Sequence, residues 1–67
     1  MTDGMDDLYE RARALVLREG YATVSLIQRN LELGFGAGSA IVARLEAEGV
    51  VGSPDLAGRR ALIQDGR

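Results

Sequence analysis

The apolar positions begin at helical period. Leu8, Tyr9, Ala12, Leu15 and Val16 fall at i, i+1, i+4, i+7 and i+8, a single stripe along one helix face. Asp6 and Asp7 stand where negative charge favours a helix start and Arg18 where positive charge favours its end. Gly20 supplies the stop, so the pattern predicts a first helix over Asp6 to Glu19. Tyr21-Ala22-Thr23-Val24 is a short extended connector of strand-like residues. Ser25 followed by Gln28 has capping-box spacing and predicts a second helix from Ser25 to about Leu31, with Leu26, Ile27 and Leu31 inward. At barely two turns it depends on packing for its stability. Glu32-Leu33-Gly34 reads as a tight turn, with the glycine supplying the backbone freedom.

A third helix follows over Phe35 to Glu48, carrying Phe35, Ile41, Val42 and Leu45, with Gly49 as its C-terminal stop. Val50-Val51 starts a strand, Gly52-Ser53-Pro54-Asp55-Leu56-Ala57-Gly58 is dense in turn formers, and Arg59 to Ile63 reads as the returning strand. The expected fold is mostly α (α+β), a winged helix-turn-helix of three helices plus a C-terminal two-stranded wing. The expected organisation is a flexible N-terminus over residues 1–5, one domain over 6–63 and a flexible tail over 64–67. A bare three-helix bundle with a disordered end is the alternative. Val50, Val51, Leu62 and Ile63 argue against it, since disordered tails are poor in such residues.

Composition narrows the function. At 67 residues the chain is one domain at most, and a domain this small buries only about 60% of the surface its unfolded chain exposes. Histidine, cysteine and lysine are all absent, which removes the commonest general base, the thiolate nucleophile and metal ligand, and the Schiff-base amine. No phosphate-binding loop or paired carboxylate motif is present. Gly34-x-Gly36-x-Gly38 lacks the spacing and the preceding buried strand of a dinucleotide fingerprint. An enzyme is not expected, nor is a cofactor or a metal site. The acidic, polar start is unlike a signal peptide, and no apolar run approaches the ~20 residues of a membrane span. A cytoplasmic protein without membrane contact is the default.

Ten acidic residues against eight arginines leave a net charge of −2, which is unfavourable for phosphate neutralisation. Its distribution is polarised. Asp3, Asp6, Asp7 and Glu10 lie at the start, while Arg59, Arg60 and Arg67 lie near the end. An all-arginine basic set suits bidentate phosphate contacts, and it is equally what a GC-rich genome yields.

The ordered residues Ala22-Thr23-Val24-Ser25, Gln28-Arg29, Leu33-Gly34-Phe35, Glu46-Ala47-Glu48-Gly49-Val50-Val51 and Gly58 with Arg60-Ala61-Leu62 carry a resemblance. They closely resemble the gamma domain at the C-terminus of FtsK-type DNA translocases, whose pattern reads A-S-I-S, Q-R, I-G-Y, E-x-x-G-I-V and G-x-R-E-V-L. The similarity runs over roughly residues 6–63. It implies a winged helix that reads short oriented sequences in chromosomal DNA, acts in chromosome segregation and contacts a site-specific recombinase. The departures fall on the recognition helix. Where the family typically has N-R-A-A-R, this chain has Gly36, Ala37, Gly38, Ser39 and Ala40, and the family's later acidic position is Ala43. A basic residue common before the turn is Glu32 here. Arg29 and Arg60 match the family.

The candidate DNA contacts are therefore Arg29, Ser39, Arg44, Arg59 and Arg60, with Arg59-Arg60 foremost for phosphate and only Ser39 and Arg44 offering hydrogen bonds on the outward face of the third helix. In the plainer reading these arginines pair with nearby glutamates. Gly36, Ala40, Ala43 and Ala47 fall four, three and four apart, a smooth ridge for a protein partner or a homodimer, for the DNA backbone, or for plain solvent. Tyr9, Tyr21 and Phe35 are expected in the core or at its edge. Two functions remain open: a double-stranded-DNA-binding module with weak or altered sequence reading, and a protein-interaction module that has kept the fold and lost DNA.

Overall fold

The computed structural model describes residues 4–63. The expected tail at 64–67 and the first three residues of the expected N-terminal segment lie outside them. The chain runs α1 (Gly4–Glu19), β1 (Tyr21–Ala22), α2 (Val24–Leu31), α3 (Phe35–Ala47), β2 (Val51–Pro54) and β3 (Arg60–Leu62). This is an α+β, winged-helix-like arrangement of three helices and a small antiparallel sheet.

The helical stripes become the core. Tyr9, Ala12, Leu15 and Val16 of α1 are buried with Leu26 and Ile27 of α2, Ile41, Val42 and Leu45 of α3, and Ala22 and Val51 from the strands. Leu8, Leu31, Leu33, Val50 and Leu62 seal the edges. Gly20 ends α1 in the left-handed region, its amide donating to the Val16 carbonyl at 2.8 Å. Gly49 ends α3 similarly, with the Val50 amide reaching back to the Leu45 carbonyl at 2.9 Å, the long back-bond of a glycine-terminated helix.

Several local expectations are corrected. The N-cap of α2 is Thr23, whose hydroxyl accepts from the Leu26 amide at 2.9 Å. Ser25 is already inside the helix, because Thr23 is the residue held in extended geometry. The left-handed residue of the turn is Glu32, at φ 56°, and Gly34 is extended as the N-cap of α3. The sheet has three strands in the order β1-β3-β2. The connector was expected only to be extended, but Tyr21 pairs with Ala61 and Ala22 with Arg60, so the wing is stitched to the front of α2. Phe35 is 68% exposed, against its expected place at the core edge. Burial in α3 starts only at Gly38, so the first residue of that helix lies beyond the core that its periodicity points to.

The β2–β3 connection is closed by Asp55. Its carboxylate accepts from the Ala57 and Arg59 amides at 2.9 and 3.0 Å, and its backbone bonds to Arg59 and Gly58. The pairing between β2 and β3 shifts register between Val51 and Pro54.

Candidate nucleic-acid interface

Helix-turn-helix geometry depends on how closely α2 and α3 cross, and Gly38 sets that distance. A Cβ there would stand 3.0 Å from Gln28 Cγ and 3.4 Å from a Val24 methyl. Close approach is thus required at Gly38 and not at Gly36, where a Cβ would meet nothing within 4 Å. Gln28 in turn sits beside Ser25 and Arg29 around a shallow cavity of about 420 Å³ on the outer side of α2.

The structure divides the candidate arginines into two pairs. Arg44 is engaged: its Nε donates to Glu48 at 3.0 Å, a terminal nitrogen lies 3.4 Å from Asp6, and its guanidinium covers the Tyr9 ring at 4.0 Å. The Tyr9 hydroxyl donates to the same Glu48 carboxylate at 3.0 Å. Arg44 first and Tyr9 second hold the Glu48 carboxyl below its usual pKa, while burial first and Glu48 second raise that of Tyr9. Arg60 is also engaged. One terminal nitrogen donates both to Glu46 and to the Gly52 carbonyl at 2.9 Å, tying α3 to the sheet with only 18% of the side chain exposed.

The other two are open. Arg29 is exposed on α2 and Arg59 on the wing, and among the described residues neither is in an ion pair. Arg59 stacks on Tyr21 of β1 at 4.2 Å. This lays the guanidinium itself on the ring, an arrangement worth about 0.5–1 kcal/mol at an exposed site. On the outer face of α3, Gly36, Ala40, Ala43 and Ala47 are all exposed, and Ser39 is half-buried one turn after Phe35. No side chain on that ridge is longer than a methyl group.

Reasoning from the sequence missed Phe35 as a surface group. Its spacing to Val42 is a full two turns, which signals burial. Leaving such a ring in water forgoes about 1.5–3 kcal/mol. The flanking Gly34 and Gly36, with open space at both, are the only hint in the sequence that nothing packs there.

Residues 3–65 match the family model described as the Ftsk gamma domain. The chain belongs to the FtsK gamma domain family. It is similar to proteins named DNA translocase FtsK from Mesorhizobium japonicum, at 43% identity over 58 residues, and from Caulobacter vibrioides, at 42% over 60. The one from Campylobacter jejuni is 32% identical over 59 residues. These alignments take in 87–90% of this chain and 6–7% of each relative, so the gamma domain corresponds to a small part of those proteins. Among the described residues of this gamma domain no helix is long and apolar enough to cross a membrane.

Proposed function

We propose that this gamma domain is a double-stranded-DNA-binding module, a winged helix that grips the phosphate backbone and reads sequence weakly. The observation that carries the reading is the pair of open arginines, Arg29 on α2 and Arg59 on the wing, both exposed and neither in an ion pair among the described residues. Arg29 and Arg59 are the phosphate contacts, and Ser39 offers one hydrogen bond in the groove. Arg44 and Arg60 belong to the frame and must release Glu48, Asp6 or Glu46 before they touch DNA. Membership of a family whose relatives are named DNA translocases supports the reading and is in keeping with a role in chromosome segregation. With one short polar side chain beside the groove, the discrimination of about 1–3 kcal/mol per bidentate base contact is largely missing.

The test is an anisotropy titration with oriented and scrambled duplexes at ~50 mM salt, a regime that favours phosphate contacts. Arg29→Ala and Arg59→Ala are each expected to weaken binding on every duplex alike and to lower the slope of log K against log salt by about one. Absence of binding at micromolar protein contradicts the reading.

A second reading, that the ridge Gly36, Ala40, Ala43 and Ala47 docks a protein partner or another copy of the chain, is favoured by the net charge of −2 and by the lack of any cation on that ridge. It predicts that Ala40→Glu abolishes an association seen by light scattering or pull-down while DNA affinity stays as it was.

A further inference from the structure

Of the three aromatic residues, Tyr9 is buried, Tyr21 lies half-buried under Arg59, and only Phe35 is exposed. It opens α3, and neither flanking glycine has a side chain to shield the ring. Ser39 follows four residues later on the same helix flank. The ring is thus the one large apolar group exposed on α3, whose other long side chains at the surface, Arg44 and Glu46, are held in ion pairs. The one forked side chain of α3, Arg44, is held by Glu48, Asp6 and Tyr9, and the helix has no amide side chain to read adenine. What an apolar helix surface can recognise in a major groove is the apolar group the groove offers, the 5-methyl of thymine, for which alanine and phenylalanine are fitting partners.

We infer that Phe35 is the base-reading residue of this domain and that it reads the thymine methyl group in the major groove. The inference rests on the DNA-binding reading above. The sequence preference that remains is one for thymine at the position facing the start of α3, and it comes from apolar contact instead of hydrogen bonding. The phosphate grip of Arg29 and Arg59 is indifferent to that methyl.

Two short duplexes of alternating sequence, one of dA and dT and the other of dA and dU, differ only in the methyl groups. Titrated with the whole chain, the thymine duplex is expected to bind about fivefold more tightly than the uracil duplex, the lower end of what one good base contact discriminates. Phe35→Ala brings that ratio close to one while affinity for the uracil duplex is retained, and Phe35→Leu keeps part of the ratio. Circular dichroism checks that both variants fold, as expected for an exposed position. Equal affinity of the unaltered chain for both duplexes, or a ratio untouched by Phe35→Ala, overturns the inference while Arg59→Ala still weakens both and the DNA reading stands. Loss of a protein partner on Phe35→Ala with an unchanged ratio likewise overturns it. Failure of either duplex to bind at micromolar protein removes both readings together.

Discussion

Gly36 and Gly38 stand two residues apart in one helix and have opposite needs. At Gly38 a side chain must displace Gln28 and press on Val24. Gly38→Val is therefore expected to cost about 1–3 kcal/mol through overpacking of the α2–α3 crossing. Gly36→Ala meets open space and should stabilise the domain by about 0.5–1 kcal/mol, the usual gain from replacing a helical glycine. Thermal melts of the two variants moving in the same direction would contradict this division. The arginines show the same contrast. Arg60→Ala removes a half-buried link between α3 and the sheet and should lower the melting temperature. Arg59→Ala loses only its stacking on Tyr21, about 0.5–1 kcal/mol. Sequence alone ranks Arg59 and Arg60 together because they are adjacent. Arg59 lies just before β3 and stacks on Tyr21, while Arg60 opens the strand and meets Glu46, a division that only the folded sheet reveals.

The elements were legible wherever the physics is local. Leu8 to Val16 repeat at helical period and are packed as such, and Gly20 and Gly49 stop their helices in the left-handed region as their type suggests. The start of α2 was harder to read, since Thr23 and Ser25 are both good caps and the tertiary pairing of Tyr21 and Ala22 with β3 decides where extended backbone ends. Thr23→Ala is accordingly expected to cost about 1 kcal/mol in a denaturant melt and Ser25→Ala much less. A larger loss from Ser25→Ala contradicts the assigned cap. The third strand was invisible for a related reason. Two residues carry too little pattern to show alternation, and β1 exists only because β3 lies beside it. Phe35 failed differently: its phase is right, but its helix outruns the core.

At the scale of the whole molecule, α1 is locked to the end of α3 by Tyr9, Arg44, Glu48 and Asp6, and this lock sets how stability responds to pH. The Glu48 carboxyl has a lowered pKa when folded, so its contribution is present above the pKa it has in the unfolded chain. It is lost as pH falls through the folded value. The Tyr9 hydroxyl has a raised pKa, so its contribution is present below the unfolded tyrosine value and is lost as pH rises through the folded one. Glu48→Gln should flatten the acid limb of the stability profile and Tyr9→Phe the alkaline limb. An acid limb unchanged in Glu48→Gln means that the lock does not carry this linkage.

The lock takes Arg44 out of play, and the Glu46 and Gly52 contacts do the same for Arg60, which leaves Arg29 and Arg59 as the candidate arginines open to DNA. Amide chemical-shift mapping of the labelled domain, titrated with a short duplex at low salt, tests this directly. Perturbations are expected to concentrate at Arg29 on α2, from Phe35 to Ala43 on α3, and at Arg59 on the wing, with the Arg11 and Arg18 face of α1 unmoved. Shifts confined to α1, or none at saturating duplex, would contradict this placement of the DNA surface.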